Sequence, residues 1–151
     1  MDDFKKTIKI EATNDRVYYA LTNCITNWWT EMFEGISNEQ GQYFIIRFGT
    51  DIFKKLLVQE LDTNKKVVWY VTDSLIDIPD LKNKTEWINT KIVWEISTVD
   101  NNTELKLTHL GLTKQVECYD ICSTGWLQFC NSLKLYLEKS EGTPFKQETS
   151  A

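Results

Sequence analysis

The sequence predicts an α+β domain in which a mostly antiparallel sheet wraps around one long C-terminal helix. Three observations carry this expectation. From Cys118 to Lys139 (CYDICSTGWLQFCNSLKLYLEK), the apolar residues Cys118, Cys122, Trp126, Phe129, Cys130, Leu133 and Leu137 recur at steps of three and four, one stripe along a helix. That run of about 22 residues would span roughly 33 Å, about the width of a small domain. Nearly everything ahead of it reads as strands broken by turn residues, and a long amphipathic helix arriving after strands needs a sheet to bury its stripe.

Taken in order, Phe4 to Glu11 (FKKTIKIE) alternates polar and apolar residues and reads as an opening strand, with Ile8 and Ile10 on one face. Thr13 or Asn14 is suited to cap the helix that follows, where Val17, Ala20 and Leu21 share a face. A second short helix is predicted around Ile25 to Thr30, containing the pair Trp28-Trp29. GQYFIIRF, IFKKLLVQEL and VVWYVTD then form a meander, turning at Gly49-Thr50-Asp51 and at DTNKK. Leu75 to Thr85 is the one long loop. EWINTKIVWEISTV and TELKLTHLGL flank Asp100-Asn101-Asn102, residues that tolerate a left-handed backbone.

Alternation puts Ile88, Ile92, Trp94 and Ile96 on one face of the penultimate strand, and Leu105, Leu107 and His109 on one face of the last. The middle strands carry large residues on both faces, so alternation does not say which rings point inward. The expected organisation is a single domain over residues 1–142 followed by a polar, flexible tail over 143–151 in which Phe145 could dock.

A chain of 151 residues suits one domain with a substantial core. Its 6 Trp, 6 Tyr and 7 Phe are enough rings either to fill the space between sheet and helix or to line an apolar pocket there. A net charge of −5 disfavours nucleic acid as a partner. No apolar run approaches membrane-spanning length and the first residues lack the apolar core of a signal peptide, so no membrane insertion and a cytoplasmic location are expected. The cysteines Cys24, Cys118, Cys122 and Cys130 form no C-x-x-C pair, and His109 is the single histidine. Buried thiols are therefore expected, with no metal and no cofactor.

Three patches, in this order and spacing, resemble one known family. ALTNCITNWWT (Ala20 to Thr30) resembles the helix-to-WW segment of activator-of-heat-shock-protein-ATPase-like proteins, members of the START-like, polyketide cyclase-like (SRPBCC) superfamily. VQELDTNKKVVWYV is similar to that family's strand–turn–strand. TELKLTHLGL followed by GWLQFCNSLKLYLEKSEG resembles its closing strand, its H-x-G-L corner (His109, Gly111, Leu112) and its Gly-Trp helix (Gly125, Trp126). The resemblance implies a helix-grip fold, two short helices after the first strand, and often an internal cavity for an apolar ligand. It implies no universal catalytic motif, and fold alone transfers no activity.

The expected function is binding of a small hydrophobic or lipid-like molecule between sheet and C-terminal helix, with Trp28, Trp29, Trp94, His109, Cys122, Trp126 and Phe129 as contacts. His109 could orient such a ligand or donate a proton, or simply tie the strand end to the helix start. Gly125, mid-helix, marks either a close approach or room left for something. Arg47, Lys54 and Lys55 are expected on solvated strand faces, although a buried Arg would pin a carboxylate or phosphate head group. Glu60, Glu95 and Glu117 form no spacing that forces two acids together, and Ser123-Thr124-Gly125 is no nucleophile elbow. An interaction module for a chaperone-like protein partner is the alternative function. An enzyme of cyclase or hydrolase type ranks third.

Overall fold

The computed structural model describes residues 2–146. Strand β1 (Phe4–Ile10) leads into helices α1 (Asn14–Asn23) and α2 (Ile25–Trp28). Six strands follow: β2 (Phe33–Gly35), β3 (Tyr43–Arg47), β4 (Ile52–Asp62), β5 (Lys66–Ile76), β6 (Lys91–Val99) and β7 (Asn102–Leu110). Helix α3 (Tyr119–Lys139) closes the order. The sheet runs β1-β7-β6-β5-β4-β3-β2 with every neighbouring pair antiparallel, and α3 packs across its inner face, the α+β helix-grip arrangement.

The turns form where the residues permit them. Asp100 (φ 51°) and Asn101 (φ 66°) both take left-handed backbone between the paired Val99 and Asn102, the geometry that matches a two-residue hairpin to strand twist. Asn64 (φ 62°) does the same between β4 and β5. Gly111 (φ +102°) lies so close to Thr90 that a Cβ would sit 2.7 Å from the Thr90 Cγ2, which fixes the corner after β7 as glycine.

The α3 stripe is as the spacing predicts: Cys118, Cys122, Trp126, Cys130, Leu133 and Leu137 are buried, and Phe129 packs at the edge of the core. Two bulges bend the β4–β5 ladder. Thr72 is unpaired between Val71 and Asp73, and Gln59 between Val58 and Glu60. The Thr72 insertion breaks the period of two within β5, so that Val67, Trp69 and Val71 before it and Ser74 and Ile76 after it are all buried.

Several expectations are corrected. Lys54 is not on a solvated face: it alternates with Leu56 and Val58 on the inner side of β4 and is only 5% exposed. The penultimate strand starts at Lys91 rather than Glu86, so Ile88 does not share its face. Trp87–Thr90 is instead a turn, with Asn89 at φ 70° and the Trp87 carbonyl accepting both the Thr90 amide (3.0 Å) and hydroxyl (2.6 Å). Thr13 occupies the α1 N-cap position without a side-chain bond. The Asn14 side chain reaches across to Thr98 and Thr103.

Of the segment expected as a tail, residues 147–151 lie outside the described residues. Before them the chain folds back along α2: the Phe145 amide donates to the Trp29 carbonyl (2.9 Å) and the Glu31 amide to the Phe145 carbonyl (3.0 Å).

Candidate functional site

All six tryptophans are buried and share one cluster of ring contacts. Trp29 lies at its centre, 5.4 Å from Trp28, 5.5 Å from Trp69 and 5.3 Å from Trp126 between ring centroids. Trp94 meets Trp28, Trp69 and Trp126 edge-to-face. The indole N–H groups of Trp69 and Trp94 have no hydrogen-bond partner, and edge-to-face neighbours offer them ring faces.

On the outer side of this cluster the core does not close. Strand β6 pairs with β5 only as far as Tyr70, and beyond that point the second half of β5 faces the loop 77–90. That loop is held to the sheet by bonds from the Val71 and Asn89 amides to the Thr90 and Val71 carbonyls, each 2.9 Å. It is held to α3 by two carboxylates. Glu86 accepts the amides of Glu117 and Cys118, satisfying free donors ahead of the helix, while Glu117 accepts those of Lys82 and Asn83.

Between the loop, the sheet and α3 is a cleft of about 310 Å³. Trp29, Trp87 and Trp126 form its floor, Phe48, Phe129 and Phe145 its rim, and Ile52, Ile76 and Ile121 its flanks. Its polar members are Lys54, Cys122 and Gln128. Gly125 also lines it, and a Cβ added there would meet no atom within 4 Å, so this mid-helix glycine leaves room rather than admitting a neighbour. Wider hollows exist, such as one of about 720 Å³ between α1 and the end of α3, but that one mixes Asp15, Arg16, Asn23, Asn27 and Asn64 with Tyr18, Tyr19 and Tyr136 and is far less apolar than the cleft. An apolar, aromatic-lined hollow with a few polar groups is the kind that holds small molecules.

Of the residues named from sequence, Trp29, Cys122, Trp126 and Phe129 line this cleft, while Trp28, Trp94 and His109 lie outside its lining. His109 is fully buried. The Trp126 indole can only donate, so its 3.0 Å bond to His109 Nδ1 leaves the proton on Nε2, which donates to Thr90 Oγ1 at 2.8 Å. The Thr90 hydroxyl in turn donates to the Trp87 carbonyl. Burial, with the nearby Lys54 charge, pushes the His109 pKa down to about 3, so the ring is neutral with both nitrogens engaged.

Sequence reasoning missed Lys54, Trp87, Phe48 and Phe145. Lys54 Nζ sits 4.3 Å above the Trp87 ring and 5.2 Å from that of Phe48, and burial brings its pKa down to about 8. Its alternation with Leu56 and Val58 was the available signal. Cys122 Sγ accepts the Trp87 indole N–H at 3.1 Å. A bond from Cys118 holds the Cys122 thiol below the usual range, and the same bond, together with burial, pushes Cys118 well above it. No carboxylate lines the cleft, and the described residues hold no cluster of metal-ligating groups. No helix among them is long and apolar enough to cross a membrane.

Comparison with known proteins gives the fold a family. Among solved structures, the Aha1 dimer from Colwellia psychrerythraea is 28% identical, covering 94% of this chain and 100% of that one, with a TM-score of 0.78. DynU16, a putative protein in the dynemicin biosynthetic locus, is 17% identical over 94% of this chain and 49% of its own, with a TM-score of 0.74. CalU16 from Micromonospora echinospora is 16% identical over 87% and 71%, with a TM-score of 0.62. The last two likenesses speak for the fold alone. No curated protein matches. The family model for activator of Hsp90 ATPase homolog 1-like protein matches residues 11–138, and the chain belongs to that family, with the SRPBCC, polyketide cyclase-like fold.

Proposed function

We propose that the protein binds a small hydrophobic or lipid-like molecule in the cleft between the sheet and α3. The observation that carries this is the hollow of about 310 Å³ beside Trp126, kept open at Gly125 and walled by rings from α3, the loop before β6, the ends of α2 and β3 and the returning chain at Phe145. A ligand burying about 250 Å² of apolar surface would gain roughly 6 kcal/mol at ~25 cal/mol per Å². The freedom it loses on binding is set against that gain. Apolar contact alone therefore supports only weak affinity, and polar groups must supply orientation.

The test is titration with octan-1-ol followed by tryptophan fluorescence, since Trp29, Trp87 and Trp126 form the floor. Saturable quenching that is reduced when Gly125 is replaced by a large side chain supports the proposal. A linear, unsaturable response in both proteins would refute it. Native mass spectrometry of protein from its own host would then identify the natural occupant.

The second reading is an interaction module for a chaperone-like protein, favoured by membership of a family named for Hsp90 ATPase activation. The exposed large apolar residues Tyr19, Ile36, Tyr43, Leu110, Ile121 and Leu127 are distributed over several elements. Only Ile121 among them belongs to the cleft, so the cleft is the better-supported site.

A further inference from the structure

We propose that the ligand of this cleft is a monocarboxylate, with an apolar body of about ten non-hydrogen atoms and a head group that pairs with Lys54. The proposal rests on the cleft being a binding site and adds what it selects. Lys54 is 5% exposed, lines the cleft, and touches ring faces rather than an anion. The four ion pairs among the described residues join Lys66, Lys84, Lys134 and Lys146 to acids, and Lys54 is in none of them. A buried cation without a partner is costly, whereas a leucine or methionine at this inward position would cost nothing. An anion in the cleft would supply the missing partner.

The neighbours favour the same charge. Cys122 on α3, Cys118 just ahead of it and His109 on β7 are the titratable groups whose charges couple to Lys54, and His109 is neutral. Ser74 pairs with Lys54 across the β4–β5 ladder, on the same face, and its buried hydroxyl has no hydrogen-bond partner. Ser74 lies behind the lining, so the Lys54 ammonium is the one charged group the cleft presents, and a single ammonium suits a singly charged carboxylate. A phosphate dianion would need more donors, and the amides ahead of α3 are already taken by Glu86. A volume of about 310 Å³ equals roughly ten waters at ~30 Å³ each, which sets the body at medium chain length.

The experiment compares octanoate, octan-1-ol and octylammonium by calorimetry at pH 7, using the full chain and its Lys54→Met variant. Octanoate is expected to bind at least tenfold more tightly than octan-1-ol to the unaltered protein, with octylammonium weakest. In Lys54→Met the ratio of octanoate to octan-1-ol affinity falls to about one or below. If octan-1-ol binds the unaltered protein and octanoate binds no better, the carboxylate proposal is overturned and the cleft reading stands. An octanoate preference that survives in Lys54→Met overturns it equally. If none of the three binds, both fall.

Discussion

The indole of Trp126 donates its N–H to Nδ1 of His109 across 3.0 Å, joining the centre of α3 to the end of β7. Because His109 Nε2 then donates to Thr90, whose hydroxyl reaches the Trp87 carbonyl, one relay fixes two of the three tryptophans of the cleft floor, Trp87 and Trp126. A residue that sequence alone offers as a proton donor is instead a neutral joint, and its chemistry is expressed in stability. The folded pKa of about 3 lies below the ordinary 6.5, so the unfolded chain binds the extra proton first. Stability from His109 is complete above pH 6.5 and is lost as pH falls toward 3, by about 1.4 kcal/mol per pH unit. Urea unfolding should therefore show a loss of about 2 kcal/mol between pH 7 and pH 5, above the range where most carboxylates titrate. His109→Gln should start less stable and respond little in that window. An equal loss in the variant would assign the acid sensitivity elsewhere.

Gly125 separates stability from binding. A methyl group at this position meets no atom within 4 Å, so Gly125→Ala should gain helix propensity, raising stability by about 1 kcal/mol. The same methyl enters the cleft, so affinity for octan-1-ol should fall severalfold, and in Gly125→Leu by tenfold or more. Thermal melts and fluorescence titration of the two variants read both effects. Unchanged binding in Gly125→Leu would mean that the ligand sits elsewhere.

Lys54 should be destabilising in the empty protein. The interval between the ordinary 10.5 and about 8 corresponds to about 3 kcal/mol at ~1.36 kcal/mol per pH unit. The folded pKa is the lower one, so the cost is fully present below pH 8 and is relieved as pH rises toward 10.5. Cys122 and Cys118 are the thiols whose charges couple to the ammonium. Lys54→Met should thus unfold at higher denaturant than the unaltered protein at pH 7, by about 1 to 3 kcal/mol, with the difference narrowing by pH 9.5. A less stable Lys54→Met at pH 7 would show that the ring contacts outweigh burial.

The sequence carries the fold more fully than the site, and particular residues show why. The stripe from Cys118 to Leu137 repeats without interruption along the 21-residue α3 and its N-cap, and β6 and β7 alternate cleanly from Ile92 and Leu105, so one period decides each face. In β5 the unpaired Thr72 shifts the phase midway and Val68 and Tyr70 set large residues opposite Trp69, so alternation does not assign Trp69. Lys54, by contrast, shares the face of Leu56 and Val58, and its charge points the reading outward. Trp87 and Phe145 enter the cleft from irregular segments placed by backbone bonds to Val71 and Trp29, contacts between distant parts of the chain that leave no periodic trace. Cys122, Trp126 and Phe129 were legible because a helix face implies its neighbours. The hollow in front of them depends on how β5 parts from β6, which is tertiary geometry.

Phe145 tests whether the returning chain shapes the site. Its ring meets Phe48 at 5.6 Å, nearly perpendicular, and forms part of the cleft rim, while its backbone is held by Trp29 and Glu31 whatever the side chain. Phe145→Ala keeps those backbone bonds and removes only the ring. The ring is half-buried, so the stability cost should stay near about 1 to 2 kcal/mol, below the ~3–5 kcal/mol of a fully buried Phe→Ala change. The cleft would lose one wall, and the ligand's dissociation rate should rise severalfold with less change in its association rate. Stopped-flow fluorescence separates the two rates. A rise in association with dissociation unchanged would identify the ring as a gate over the cleft rather than a wall of it.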